Sequence, residues 1–172
     1  MRIEEVDMYE WEKYSNDVIE EIEKLKKVRA SWESNPNPTA EFLADIRIKL
    51  SISSANLVDS MRPLALIEPM WVAKVHRDKK ESWDLAREQS STATEAASLF
   101  KHYDPYNTSL EIQGVLKRLL DYSYNQAEQA RNISNALSTK TRDVYQNSAM
   151  IEHDYSEENI PEDIEVKTTK YF

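Results

Sequence analysis

The chain of 172 residues contains one glycine, no cysteine and six prolines. Glycine usually makes up about 7% of a protein, and β-rich or α/β folds need it where turns adopt positive φ angles. Long helices need few turns, so the scarcity of glycine predicts an all-α fold. The lone Gly114 also excludes sites built on glycine-rich loops, such as a P-loop, a dinucleotide-binding fingerprint or a nucleophile elbow.

The lack of cysteine excludes disulfides and thiolate zinc sites, and it gives no reason to expect an oxidising compartment. The first residues, MRIEEVDMYEWEKY, are charged throughout, unlike a signal peptide. No apolar run approaches the roughly 18 residues that span a bilayer. We therefore expect a cytoplasmic protein with no membrane partner, in the host cytoplasm if the chain is viral.

The formal net charge of −9 is unevenly distributed, with −5 in residues 1–60, +1 in residues 61–143 and −5 in residues 144–172. A nucleic-acid-binding protein normally presents a basic stripe that displaces counterions. The near-neutral middle could hold a small basic patch at Arg77, Lys79 and Lys80, although such charges are typical of a solvated helix face. Nucleic acid is therefore the alternative partner rather than the expected one.

Apolar residues recur at spacings of three and four, separated by charged residues, which predicts amphipathic helices. The predicted helices cover residues 4–33, 39–61, 69–103 and about 109–150.

The breaks between these helices are predicted from proline and capping residues. Prolines in ESNPNPT (33–39) end the first helix, and Thr39 or Asn37 caps the second. Pro63 and Pro69 bracket a short helical turn or kinked link. The stretch DPYN (104–107) predicts a tight connection, after which Ser109 caps the fourth helix.

The two long helices, joined by a four-residue connection, are expected to form an antiparallel, coiled-coil-like hairpin packed against two shorter helices. Residues 1–150 would then be one helical bundle, composed of an N-terminal helix pair (1–61) and the long hairpin (69–150). Residues 151–172 are acidic and lack helical periodicity. This pattern predicts a tail that is disordered alone or docks in extended form.

The hairpin seam follows alternating steps of three and four residues. Its interaction residues are predicted to be Val72, Val75, Ser82, Ala86, Gln89, Ala93 and Phe100 on one helix, and Leu116, Leu119, Ser123, Gln126, Ile133 and Leu137 on the other. The step between Val75 and Ser82 falls on Lys79. A turn near residue 105 would place residues 82–89 opposite residues 123–126. Polar layers there would fix the register, or small residues would admit a closely packed third helix.

His76, with Asp78 and Glu81 nearby, is the closest approach to a metal or catalytic cluster. A second ligand on the same helix face must lie three or four residues away, where the chain has only lysine, valine and alanine. Di-iron carboxylate bundles need Glu-x-x-His pairs, and none of the three histidines follows a glutamate at that spacing. We therefore predict no catalytic, cofactor or metal site.

Large aromatic residues are frequent anchors of protein interfaces, and four tryptophans lie near the apolar stripes. The predicted anchors are Trp11, Trp32, Trp71 and Trp83. The end of the acidic tail alternates apolar and polar residues and closes on Tyr171 and Phe172. It could add as a strand to the edge of a partner's sheet or dock a terminal aromatic ring.

A short cysteine-free chain with long polar helices and a loose acidic tail resembles, in general style, small accessory proteins of bacteriophages. The resemblance covers no defined motif. We expect a non-enzymatic protein that acts through protein–protein contacts, as an oligomerising assembly, scaffold or regulatory protein. The alternative is linked to nucleic acid, either by weak binding through Arg77, Lys79 and Lys80, or by acidic mimicry that blocks a nucleic-acid-binding partner. An active site would require assembly across subunits.

Overall fold

A computed structural model describes residues 6–157, with the side chains of residues 6–146. All secondary structure in these residues is helical, which confirms the all-α fold. A 3₁₀ turn at Met8–Glu10 precedes four helices, α1 (Trp11–Glu33), α2 (Ala40–Glu88), α3 (Ala93–Phe100) and α4 (Asp104–Glu157).

The first two helix starts have side-chain caps. Asp7 accepts a hydrogen bond from the backbone N–H of Tyr9 at 2.9 Å, which begins the 3₁₀ turn ahead of α1. Thr39 accepts one from the backbone N–H of Phe42 at 3.2 Å and thereby caps α2. The cap predicted at Thr39 is confirmed. These hydroxyl and carboxylate oxygens satisfy amide groups that have no partner within the helix.

Helix α2 runs without a break through Pro63 and Pro69, so the link predicted between residues 61 and 69 is wrong. Each proline removes one backbone hydrogen bond and costs about 3 kcal/mol in a helix interior. Continuity, however, keeps one buried stripe aligned on both sides of the prolines. Its buried members there are Leu57, Met61, Leu64, Ile67 and Trp71. Burying each such side chain contributes about 1.5–3 kcal/mol, which offsets the two prolines.

The helix predicted to span 69–103 instead ends at Glu88, and a separate short helix follows. Thr92 caps α3 by accepting a hydrogen bond from the backbone N–H of Glu95 at 3.2 Å. The Glu95 carboxylate in turn accepts one from the backbone N–H of Ser91 at 2.9 Å. This reciprocal arrangement resembles a capping box, and its Thr-x-x-Glu signal is present in the sequence.

Helix α4 begins at Asp104 rather than at Ser109. Pro105 is tolerated because amides in the first turn have no intrahelical partner. Ser109 lies inside the helix, where its buried hydroxyl donates to the Tyr106 carbonyl at 3.1 Å. The helix continues to Glu157, beyond the predicted tail boundary at residue 151. The rest of the tail, with Tyr171 and Phe172, lies outside the described residues.

Helices α2 and α4 run antiparallel and share the most extensive interface of the described structure. Three side-chain contacts mark the register: Tyr103 to Gln89 at 3.1 Å, Ser54 to the Ala127 carbonyl at 3.2 Å, and Arg47 to Ser138 at 3.1 Å. Helix α1 packs against both helices.

The register differs from the predicted one because α3 and its flanking residues form the turn, well before residue 105. Ala127 lies against Ser54, so Ser123, one helical turn earlier in α4, lies near Val58 of α2. The predicted pairing of residues 82–89 with residues 123–126 is therefore wrong.

Candidate interaction surfaces

Most of the predicted seam residues are at least partly buried, although in a different pairing from the one expected. Val75, Ser82, Ala86, Leu116, Ser123 and Leu137 are buried, Val72, Phe100, Leu119, Gln126 and Ile133 are half-buried, and Gln89 and Ala93 are exposed. The last two fall on either side of the break between α2 and α3, where the chain leaves the α2–α4 interface. Ala93 therefore lies outside the seam, whereas Gln89, although exposed, still accepts a hydrogen bond from the Tyr103 hydroxyl at the end of the α2–α4 pairing.

The middle of the α2–α4 interface is formed by small residues. Ala127 and Ala130 are at most 4% exposed, and the Ser54 hydroxyl donates to the α4 backbone itself. The Ser123 hydroxyl donates to the Leu119 carbonyl at 2.6 Å within its own helix. The hydroxyls of Ser54 and Ser123 therefore have partners, and the small side chains allow α2 and α4 to approach closely.

Helix α1 is held to α4 by a polar contact. Arg29 of α1 donates to the side-chain oxygens of Gln126 and Gln129, at 3.1 Å each. The seam glutamine at 126 thus contacts α1, instead of the layer around residues 82–89 that the sequence predicted.

Trp71 is an internal anchor rather than an exposed one. Its indole N–H donates to the Met8 carbonyl at 3.1 Å, and the Tyr9 ring meets it edge-on at 6.2 Å. This contact ties the 3₁₀ turn to α2. Trp11 and Trp32 are half-buried and pack against the main core, so these three tryptophans contribute to it.

Trp83 belongs to an aromatic cluster at the α3 end of the molecule. Its ring meets Phe100 edge-on at 5.7 Å, and Phe100 stacks on Tyr106 at 5.1 Å. The three rings join α2, α3 and α4. Trp83 remains 38% exposed, so the cluster combines a structural role with an accessible surface.

The residues around His76 do not form a cluster. His76 and Glu81 are exposed, whereas Asp78 is buried and accepts hydrogen bonds from the Lys74 ammonium at 2.8 and 3.0 Å. Asp78 rather than Lys79 occupies the buried position. Within the part of the chain described, no group of three or more histidine, aspartate or glutamate side chains could hold a metal ion.

Exposed lysines of α1 pair with carboxylates one turn away, as expected of a solvated helix face. The ammonium group of Lys24 donates a hydrogen bond to Glu20 and thereby lowers the pKa of that carboxyl. A similar contact with Glu23 raises the pKa of Lys26. Such surface pairs contribute little to stability.

Arg77, Lys79 and Lys80 are all exposed. No carboxylate lies within ion-pair distance of these three side chains among the residues whose side chains are described. Along α2, however, Lys79 points about 200° away from Arg77 at 100° per residue. Among the described side chains the three charges thus have no ion-pair partner, but they lie on different faces of α2.

Helix α2 has a second apolar stripe, opposite its buried one, which we call the outer face. The outer face consists of Ile48, Ile52, Ala55, Asp59, Arg62, Leu66, Met70 and Ala73, all exposed. Six of these eight positions are apolar. Ile48 and Ile52 are more than half exposed, and Leu66 and Met70 more than two-fifths.

The middle of the outer face is charged. Asp59 and Arg62 form an ion pair at 2.9 Å between the two apolar halves. Both residues also line a polar groove of about 410 Å³ between α2 and α4, which Arg131 and Ser134 line from the other side. This face was not predicted, although its spacing of three and four residues is the same signal that identified the buried stripe.

Within residues 6–157, no helix combines the length and the apolar character needed to cross a membrane. Comparison with known proteins gives no relative: the sequence matches no family model and no curated protein, and the fold matches no solved structure.

Proposed function

We propose that this chain is a non-enzymatic helical protein that acts through contacts between its helix faces and other protein chains. The outer face of α2 is the observation that carries this proposal. Isolated apolar side chains on a surface are ordinary, but a contiguous exposed patch marks an interaction site. Here six apolar positions follow one helix face over more than six turns, in two halves on either side of the Asp59–Arg62 ion pair. An apolar stripe along one helix face is the arrangement by which amphipathic helices recognise each other.

The role that fits is an oligomerising assembly, scaffold or regulatory protein of the cytoplasm, and a phage-encoded accessory protein is one form of it. The coiled-coil-like pairing of α2 with α4 would provide a rigid rod that presents the outer face. The acidic segment 151–172 would offer a second contact to another protein.

The experiment compares the full chain with a variant in which Ile48, Ile52, Leu66 and Met70 are all replaced by glutamine. A matched control carries glutamine at four exposed apolar positions elsewhere, namely Ile19, Leu85, Leu110 and Tyr122. Self-association is measured by light scattering, and captured proteins are compared by quantitative mass spectrometry. We expect the outer-face variant to lose contacts that the wild type and the control retain. If all three proteins behave alike, the proposal is wrong.

A nucleic-acid-linked role is the second candidate, favoured because Arg77, Lys79 and Lys80 have no carboxylate partner among the side chains of residues 6–146. Fluorescence anisotropy with a DNA duplex and an RNA strand at low and moderate salt tests it. Binding that weakens steeply with salt, and is lost when all three residues are replaced by glutamine, would support direct binding. No binding, together with competition against DNA for a basic protein, would support acidic mimicry instead.

A further inference from the structure

We propose that the outer face of α2 packs against the outer face of a second copy, antiparallel, about a two-fold axis that passes between Asp59 and Arg62. This inference rests on the proposed function and names its partner. It follows from the order of residues along the outer face, which is self-complementary when read in the opposite direction.

The self-complementarity is visible when positions equally distant from the midpoint of Asp59 and Arg62 are compared. Ala55 and Leu66 lie at equal distances on opposite sides, as do Ile48 and Ala73. In an antiparallel pair each residue meets the one at the mirrored position of the other helix. A large side chain then meets alanine at both of these positions.

The remaining apolar residues also find partners in this arrangement. The position mirrored from Ile52 is Pro69, next to Met70. Both residues are exposed in the described structure. Ile52 would therefore pack against the turn formed by Pro69 and Met70 of the partner. Large residues opposite small ones interdigitate without voids, as a packed helix pair requires.

The charges at the centre determine the direction of pairing. In the antiparallel arrangement Asp59 meets the partner's Arg62, and Arg62 meets the partner's Asp59, so two ion pairs form across the axis. A parallel arrangement would place aspartate against aspartate and arginine against arginine, which is unfavourable. An isologous two-fold contact is also the commonest symmetry of soluble oligomers.

The positions have the spacing of a two-stranded helix seam. From residue 48 to residue 73 the steps alternate between four and three, apart from the position shared by Pro69 and Met70. This is the repeat of facing positions in paired helices. At 1.5 Å per residue the seam is about 38 Å long. It is narrow, so we expect a dimer that dissociates in the micromolar range, about 1–100 μM.

The first test measures the dissociation constant of the full chain by sedimentation equilibrium. Replacing Ile52 and Leu66 together by glutamine should weaken dimerisation about 100-fold or more, because four apolar side chains are lost per dimer. Replacing Ile19 and Leu110 by glutamine should leave it unchanged. A wild-type chain that stays monomeric up to about 1 mM would overturn the proposal.

The charges allow a complementation test. Asp59→Arg and Arg62→Asp should each weaken the dimer, because like charges then meet across the axis. An equimolar mixture of the two variants should form a heterodimer of wild-type strength, since every 59–62 contact again joins opposite charges. If the single variants dimerise as well as the wild type, the charges do not face each other.

Cysteine cross-linking tests the direction, and the natural chain has no cysteine to interfere. Chains carrying Ala55→Cys and chains carrying Leu66→Cys should form a disulfide when mixed. Ala55→Cys alone should not, because the two copies of residue 55 would lie about 16 Å apart along the axis. Cross-linking of Ala55→Cys alone, at the rate of the mixture, would indicate parallel pairing and overturn the proposal.

The outcomes separate this inference from the proposed function. If the chain is monomeric but the outer-face variant loses a different protein partner, the face is an interaction surface and the second copy is the wrong occupant. If neither self-association nor any partner depends on the outer face, both proposals fail. Circular dichroism spectra of all variants establish that they remain folded.

Discussion

The Ser54 hydroxyl donates a hydrogen bond to the backbone carbonyl of Ala127 at 3.2 Å, within the buried interface of α2 and α4. The bond joins residues 73 positions apart, and it shows how closely the two helices approach. The acceptor carbonyl belongs to an α-helix and can also bond within α4, because a carbonyl oxygen has two lone pairs. The Ser54 contact is thus an additional bond across the interface.

Ser54→Ala should lower the free energy of unfolding by about 1 kcal/mol, the usual net contribution of one hydrogen bond. Chemical denaturation followed by circular dichroism measures it. Ser60→Ala is the matched control, because that half-buried hydroxyl donates only to Leu57 of its own helix. We expect the control to change the free energy by less than about 0.5 kcal/mol. Equal losses in both variants would contradict a role for Ser54 between helices.

Gly114→Ala should stabilise the protein by about 1 kcal/mol, the difference in helix propensity between the two residues. Gly114 lies inside α4, and a Cβ atom added there would have no atom within 4 Å. Thermal unfolding should show the increase as a higher Tm. A lower Tm would contradict the open space around Gly114.

Pro69→Ala should raise the free energy of unfolding, by up to about 3 kcal/mol, because alanine restores a backbone hydrogen bond within α2. Pro69 is exposed, so its removal leaves no cavity. Pro63→Ala should gain less, since Pro63 is buried and its ring would leave a void. The comparison is best made at low protein concentration, where self-association does not contribute. A larger gain for Pro63→Ala would contradict a packing role for the buried Pro63 ring.

Lys74→Met should destabilise the protein by about 2 kcal/mol, because it leaves the buried Asp78 carboxylate without its partner. The loss is smaller than for a fully buried pair, since Lys74 is 28% exposed. A double-mutant cycle with Asp78→Asn, measured by urea denaturation, isolates the interaction. We expect a coupling energy of about 1–2 kcal/mol. Additive losses would mean that the two residues act independently.

Periodicity predicted the helical class and most of the residues that become buried, because apolar residues repeat at helical spacing. It also predicted the start of α2 at Thr39, since that cap depends on local sequence. It failed at Pro63 and Pro69, where the rule that proline ends a helix was outweighed by burial on both sides. Local sequence preferences do not include the free energy of burial, because the core residues that supply it come from three helices.

The register and the outer face were missed for two further reasons. Asp78 is buried because Lys74 neutralises it one turn away. The predicted seam avoided this carboxylate and was therefore placed one position further along the chain, at Lys79. The Thr92–Glu95 cap moved the turn of the hairpin away from residue 105, and every predicted pair across the interface changed with it. The outer face uses the same spacing as the core, and only the structure shows which of the two stripes is covered.

The antiparallel arrangement of α2 and α4 also determines the order in which contacts can form during folding. Gln89 and Tyr103 are 14 residues apart in the chain, whereas Arg47 and Ser138 are 91 apart. Closing a short loop costs less entropy than closing a long one, by about 0.6 kcal/mol for each doubling of its length. Pairing should therefore start beside α3 and proceed one turn at a time towards the far ends. The short helix α3 would then act as the nucleus of folding, although it contributes little to the core.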